Sequence, residues 1–253
     1  MGTNLIYIIQ PIVALLIFVI LFHLIFFGPG RRLFAARLIQ RVYHGNSRRQ
    51  VLHDLALTLL NLVVVITLTT LLFQWLFKVS LVTVIASPSI AVTLGQFVLY
   101  FFAFDLYYYV WHRFLHTPFL YRHVHSHHHV ATRPTPLTSY AVHPVEGFVS
   151  FLFTLLLFIV MDMSLMALIA MNAYSVIHSV ILHSGHDLFP KWWYRNGLSK
   201  YYVTPLYHDL HHSEPESANF GIYTTIWDRV FGTVSTSLHT SFGRVTSATS
   251  PAQ

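Results

Sequence analysis

The stretch Val92–His116 reads V-T-L-G-Q-F-V-L-Y-F-F-A-F-D-L-Y-Y-Y-V-W-H-R-F-L-H. As far as Trp111 its one charge is Asp105, and two histidines then follow four residues apart, His112 and His116. A helix rising ~1.5 Å per residue crosses ~30 Å of hydrocarbon with a run of this kind. The two histidines therefore stand at the end of a membrane-crossing helix, one turn apart on one face.

Further spans lie on both sides. Leu5–Phe27 and Leu55–Phe77 each hold 23 residues without a charge. Phe148–Leu182 has 35 residues with Asp162 as its only charge. A single helix of that length would overshoot the bilayer, so a turn is expected near Met161–Ser164, with a short tilted helix on either side. The composition agrees, at 55% hydrophobic and 9% charged residues, outside the range of ordinary soluble domains. The expected fold class is all-α, a polytopic membrane helical bundle of four to five membrane segments.

The formal charge of +6 is a topology signal rather than a mark of nucleic-acid binding. Six of the fifteen basic residues, Arg31, Arg32, Arg37, Arg41, Arg48 and Arg49, fall between the first two spans. A short arginine-rich loop stays in the cytoplasm, which sets the N-terminus and the segment around Lys78–Ile90 on the opposite side. Residues 112–147 and the chain from 183 onward then share the cytoplasmic face. The first span is expected to be retained, since no small-residue cleavage site follows Gly28-Pro29-Gly30. There are no cysteines, so disulfides, thiolate metal sites and cysteine nucleophiles are excluded. The end of the chain, 239–253, is expected to be a disordered tail.

Eighteen histidines cluster at span ends. His112 and His116 are followed by His125, His128 and His129 in H-V-H-S-H-H-H, by His143 in H-P-V-E, by His178, His183 and His186, and by His208, His211 and His212 in H-D-L-H-H. The spacing H-x-x-H-H occurs twice, and positions i, i+3 and i+4 of a helix present neighbouring side chains suited to one ion or two close ions. A lone histidine near a span end is more often a hydrogen-bonded interfacial residue, and that reading is kept for His23, His44, His53 and His239. His123 and His127 fall off the H-x-x-H-H face. Purely structural roles for the clusters would bury about nine imidazoles with few acids to pair them, since the chain has only nine carboxylates. Nine or ten histidines are too many for one structural zinc, so two ions are implied. Imidazole suits iron, copper, zinc and nickel alike, and the Glu with Glu-x-x-His pattern of soluble di-iron bundles is missing.

The ordered series resembles the fatty acid hydroxylase / sterol desaturase superfamily of membrane di-iron enzymes over roughly Asp105–Thr233. It runs H-x3-H (His112, His116), L-Y-x4-H-x-x-H-H (Leu120 to His129), H-P-x-E (His143, Glu146), H-S-G (His183 to Gly185), H-x-x-H-H (His208 to His212), N-F-G (Asn219 to Gly221) and W-D-R-x-F-G-T (Trp227 to Thr233). The resemblance implies that His112, His116, His125, His128, His129, His183, His208, His211 and His212 ligate metal, with His143 or His178 as a tenth ligand. His186 stands where many members carry another residue, often Tyr. It further implies two iron ions, O₂ as cosubstrate, two electrons from an external reductase or cytochrome b5-like donor, and hydroxylation or desaturation of a sterol or fatty acyl lipid. Pro134–Phe148 is most similar to the C5 sterol desaturase branch, whereas H-S-G-H-D is nearer the sterol 4-methyl oxidases and 25-hydroxylases, and the branch stays open.

On this reading residues 1–104 hold the N-terminal helices and the basic loop. Residues 105–238 form a catalytic region with a cytoplasmic, histidine-rich di-metal cap, in the endoplasmic reticulum membrane or a bacterial inner membrane. Asp105 lies two turns before His112 on the same face, where a carboxylate is expected to hold a ligand imidazole. Glu146 and Asp228 invite the same reading, and Asp209 is read as solvated. Tyr107–Trp111 and Trp192–Tyr194 are read as interfacial anchors. A metal transporter is the main alternative, but its ligands would lie near mid-bilayer, between broken helices. A zinc hydrolase would need H-E-x-x-H, which is absent.

Overall fold

The computed structural model describes residues 6–39, 48–85, 87–190, 192–193, 196–213, 218–238 and 241. Arg41, His44, Tyr194, His239 and the tail from 242 lie outside the described residues. Five apolar helices carry the fold: α1 (Ile6–Phe27), α2 (Arg48–Lys78), α3 (Ile90–Leu115), α4 (Pro144–Val160) and α5 (Leu165–Leu182). Four are long and apolar enough to cross a membrane, and α4 is a shorter apolar helix of 17 residues.

Local chemistry fixes the helix ends. Ser89 caps α3 by accepting from the Val92 N–H at 3.2 Å, and Pro118 stops the chain from continuing beyond His116. Pro144 opens α4, where its missing N–H is harmless. Ser164 caps α5 through the Ala167 N–H at 3.1 Å. Beyond α5, Gly185 takes φ +66° against the Phe27 ring and the Pro134 carbonyl, a close approach that suits glycine.

The expected turn in the last apolar stretch is present. Between α4 and α5, Met163–Ser164 (β2) pairs in parallel with Val84–Ile85 (β1), with Val84 opposite Met163 and Ile85 opposite Ser164. Gln96 ties this end together, donating to the Asp162 carbonyl at 2.8 Å and accepting from the Ser164 N–H at 2.6 Å. At the other end of the bundle, Ile39 N–H donates to Gly185 O at 3.1 Å, Asp187 N–H to Arg37 O at 2.7 Å, and Arg37 to Phe189 O at 3.2 Å. The arginine-bearing connection thus packs against the same end as the histidines.

An aromatic core joins α3, α4 and α5 through Tyr100, Phe153, Phe158, Met171 and Tyr223. This corrects one expectation. Tyr109 is buried and stacks on Phe231 at 5.4 Å, and Tyr107 donates to Val149 O at 2.7 Å, so these tyrosines are core residues because α3 is wrapped by α4 and the 219–233 loop. Trp192 is exposed, as an interfacial anchor would be.

Candidate metal centre

Nine imidazoles converge at one end of the bundle in two groups. His112, His116, His125, His129 and His211 form the first, and His128, His183, His208 and His212 the second; within each group the facing nitrogens lie within 4.8 Å of one another. His112 ends α3 and His116 caps it, while His183 caps α5. The segment Tyr121–His125 is a widened, π-type turn that runs into the short helix Ser126–His129. His208, His211 and His212 sit on α6 (Pro205–Ser213), whose residues before Ser213 are all buried.

The two H-x-x-H-H motifs divide in opposite senses. His125 and His129, at i and i+4, join the first group while His128 joins the second; His208 and His212, at i and i+4, join the second while His211 joins the first. Each motif therefore bridges the two groups instead of serving one, and the groups are held at fixed separation by two short rigid helices.

Outer hydrogen bonds set the tautomers. His112 Nδ1 donates to Phe220 O at 2.8 Å, His183 Nδ1 to Ser179 O at 2.7 Å, His211 Nδ1 to Ala218 O at 2.8 Å and His212 Nδ1 to Ala131 O at 3.1 Å. Carbonyl oxygens only accept, so these Nδ1 atoms carry the proton and the Nε2 atoms carry lone pairs. His125 Nδ1 donates to the buried Glu146 carboxylate at 2.9 Å. The Nε2 atoms then face each other: His112 and His125 at 3.2 Å, His125 and His129 at 3.0 Å, His129 and His211 at 3.1 Å, His183 and His208 at 3.0 Å, and His128 and His183 at 3.4 Å. His212 Nε2 is buried without a hydrogen-bond partner.

Protons are poor candidates to relieve this crowding. Burial, aided by the charge of neighbouring imidazoles, pushes His183 down to about 4 and His211 to about 3, and lowers His128, His129, His208 and His212 strongly. A convergent set of nine imidazole nitrogens, eight of them from buried rings, fits a pair of divalent ions. Four of the nine take an outer hydrogen bond to a backbone carbonyl, and a fifth to a carboxylate, as metal-bound histidines do.

Several expectations change. His178 stands outside both groups, because both its nitrogens are committed: Nε2 donates to Ile222 O and Nδ1 accepts from Tyr202 Oη, each at 2.8 Å. His143 is also outside, as its Nδ1 caps α4 by accepting from Val145 N–H at 3.2 Å. His186 packs among Phe26, Phe27 and Phe34, and His123 and His127 are exposed. Among the described residues Asp105 meets no histidine; its carboxylate accepts from the Tyr223 and Thr224 N–H groups at 2.9 and 3.1 Å and from the Thr224 hydroxyl. Asp105 thus anchors the loop after Phe220 rather than an imidazole. Asp228 acts one bond further out, taking the Phe220 and Gly221 N–H groups at 2.9 and 2.8 Å, so it fixes the peptide whose carbonyl holds His112. Asp209 is buried, not solvated. The sequence reading missed the carbonyl acceptors at Ala131, Ser179, Ala218 and Phe220; only the N-F-G and W-D-R motifs pointed toward the last.

With this geometry in place, similarity to known proteins can be read on it. Residues 97–233, over half of the chain, match the fatty acid hydroxylase family, and the chain belongs to that family. It is 34% identical over 134 residues to a Delta(7)-sterol 5(6)-desaturase of Leptosphaeria maculans, covering 53% of this chain and 35% of that protein. It is 29% identical over 133 residues to a lathosterol oxidase of Rattus norvegicus, covering 53% and 42%. A very-long-chain aldehyde decarbonylase of Oryza sativa subsp. japonica is 29% identical over 143 residues, covering 51% and 21%. The chain thus spans less than half the length of these relatives. No solved structure matches it.

Proposed function

We propose that the chain is a membrane-bound oxygenase whose nine clustered histidines hold two iron ions, and that it uses O₂ and two electrons to hydroxylate or desaturate a lipid of the sterol or fatty acyl class. The observation that carries this reading is the convergence of nine imidazole nitrogens, eight from buried rings, into a group of five and a group of four. Iron held there would supply the activation of O₂ that breaking an unactivated C–H bond requires. The names of the relatives, a sterol desaturase and a lathosterol oxidase among them, support an oxidoreductase acting on lipids.

The chain's own residues have definable tasks. The nine histidines bind, and Glu146 and the Phe220 carbonyl orient His125 and His112. The buried walls around the two groups exclude water, which keeps a strong oxidant from side reactions. Both groups lie where apolar helices end, so a lipid reaches them from the membrane phase without passing through bulk water. Ligands at the helix ends rather than at mid-span weigh against metal transport.

Residues 105–238 form the catalytic region on this proposal, and it faces the cytoplasm, where a separate reductase or cytochrome b5-like protein delivers electrons. The membrane is that of the endoplasmic reticulum or the bacterial inner membrane. The test is lipid mass spectrometry of cells expressing the wild type or His128→Ala. A lipid one oxygen heavier or two hydrogens lighter, present only with the wild type, is the expected result. Identical lipid profiles with both proteins at equal abundance would count against the proposal.

A further inference from the structure

Helix α2 lies outside the matched region 97–233, yet it carries three buried polar residues at i, i+4 and i+7: Asp54, Thr58 and Asn61. Such a stripe on a membrane-crossing helix is costly unless its groups find partners. All three face one target, the segment Thr135–Tyr140, a largely buried 3₁₀ turn capped by Thr135. The Thr138 hydroxyl donates to Asp54 Oδ2 at 2.9 Å while accepting from the Thr135 N–H at 3.0 Å. The Thr58 hydroxyl donates to Leu137 O at 3.0 Å, and Asn61 Nδ2 to Tyr140 O at 3.3 Å. Backbone polar groups buried against a membrane-crossing helix must be met by protein, and α2 meets the Leu137 and Tyr140 carbonyls.

This segment lies beside two contacts of the four-histidine group. Four residues before it, Ala131 O accepts from His212 Nδ1 at 3.1 Å; within it, the Ser139 hydroxyl donates at 3.4 Å to Ser179 O, the carbonyl that also takes His183 Nδ1–H. Asn61 also sets the approach of α4. Its Oδ1 lies 2.3 Å from where a side chain at Gly147 would begin, next to Glu146.

We propose that Asp54, Thr58 and Asn61 are positioning residues for the four-histidine group, so that α2 belongs to the machinery of the metal centre and not only to the membrane anchor. This rests on the metal-centre reading above. Their action is indirect: they fix the Thr135–Tyr140 segment, which follows Ala131, the partner of His212, and carries Ser139 against the carbonyl that holds His183.

Cobalt(II) titration of the full chain in lipid nanodiscs, followed by visible absorption, tests this. The wild type is expected to take up two ions, one with the intense absorption of four-coordinate cobalt. Asp54→Leu and Thr58→Val are expected to bind the ion of the five-histidine group as the wild type does and the other on the order of 10-fold more weakly, with the intense band reduced. Asp54→Asn, which keeps an oxygen to accept from Thr138, restores that band. Thr58→Val exchanges a hydroxyl for a methyl and carries the test if Asp54→Leu does not fold. Unchanged uptake and spectra in the variants would overturn the proposal, as would parallel loss of both ions together with helical circular dichroism. A wild type that binds no cobalt would instead overturn the metal-centre reading beneath it.

Discussion

Replacing Glu146 by leucine probes how the outer contacts of the histidines support the site. The carboxylate is buried and takes His125 Nδ1–H at 2.9 Å, and His125 Nε2 lies 3.2 and 3.0 Å from the nitrogens of His112 and His129. A hydrogen bond to a charged acceptor contributes about 1.5–3 kcal/mol, and about 1.4 kcal/mol is tenfold in affinity. Losing it should weaken metal binding on the order of 10- to 100-fold, the range found when such outer partners are removed. The leucine also leaves the buried His125 Nδ1–H without an acceptor, which should cost about 1–3 kcal/mol of stability, so affinity is compared on protein whose helical circular dichroism matches the wild type. Competition with a chelator, read by metal content after desalting, gives the affinity. Glu146→Gln keeps an acceptor oxygen and should fall between leucine and the wild type. Equal affinity in the wild type and Glu146→Leu would refute the reasoning.

Three further outcomes follow from the same geometry. His178→Phe should retain full metal content while losing about 1–2 kcal/mol of stability with its two hydrogen bonds; metal loss without destabilisation would return His178 to the ligand set. Gly221→Ala places a methyl 2.4 Å from Thr224 O and 2.8 Å from Asp228 Oδ2, so thermal unfolding should show a cost of about 1–3 kcal/mol, and an unchanged midpoint would contradict the packing described. The pH dependence of the metal-free protein has a definite sign. His183 and His211 are held down to about 4 and about 3 in the folded state, below the unfolded value of about 6.5, so the unfolded chain binds more protons between these limits. Their contribution is complete above about 6.5 and is lost as pH falls through about 4 for His183 and about 3 for His211, which thermal unfolding across that window checks; a flat profile would show that these imidazoles are not held neutral.

The sequence made the bundle and the nine histidines legible, for a physical reason. Apolar length reports membrane crossing directly, and the ordered motifs mark the helix ends where imidazoles gather. Even the Met161–Ser164 turn could be anticipated, since 35 apolar residues cannot form one spanning helix. Partner assignments were not legible, because they depend on which loop returns to which helix. Asp105 shares a helical face with His112, and periodicity alone could not show that Tyr223 and Thr224 would reach its carboxylate first. His178 has the same one-letter signature as a ligand, and only the carbonyl of Ile222 and the hydroxyl of Tyr202 reveal that its nitrogens are already engaged. The opposed division of the two H-x-x-H-H motifs was hidden too, because helical spacing shows which side chains are neighbours but not which of two ions each would face.

The central claim is that two groups of histidines hold two iron ions, and elemental analysis of the purified, full-length protein tests it most directly. The account predicts close to two irons per chain in the wild type, reduced when His128 or His129 is replaced by alanine and retained in His178→Phe. One zinc per chain, or no bound metal in protein that is otherwise folded, would contradict it.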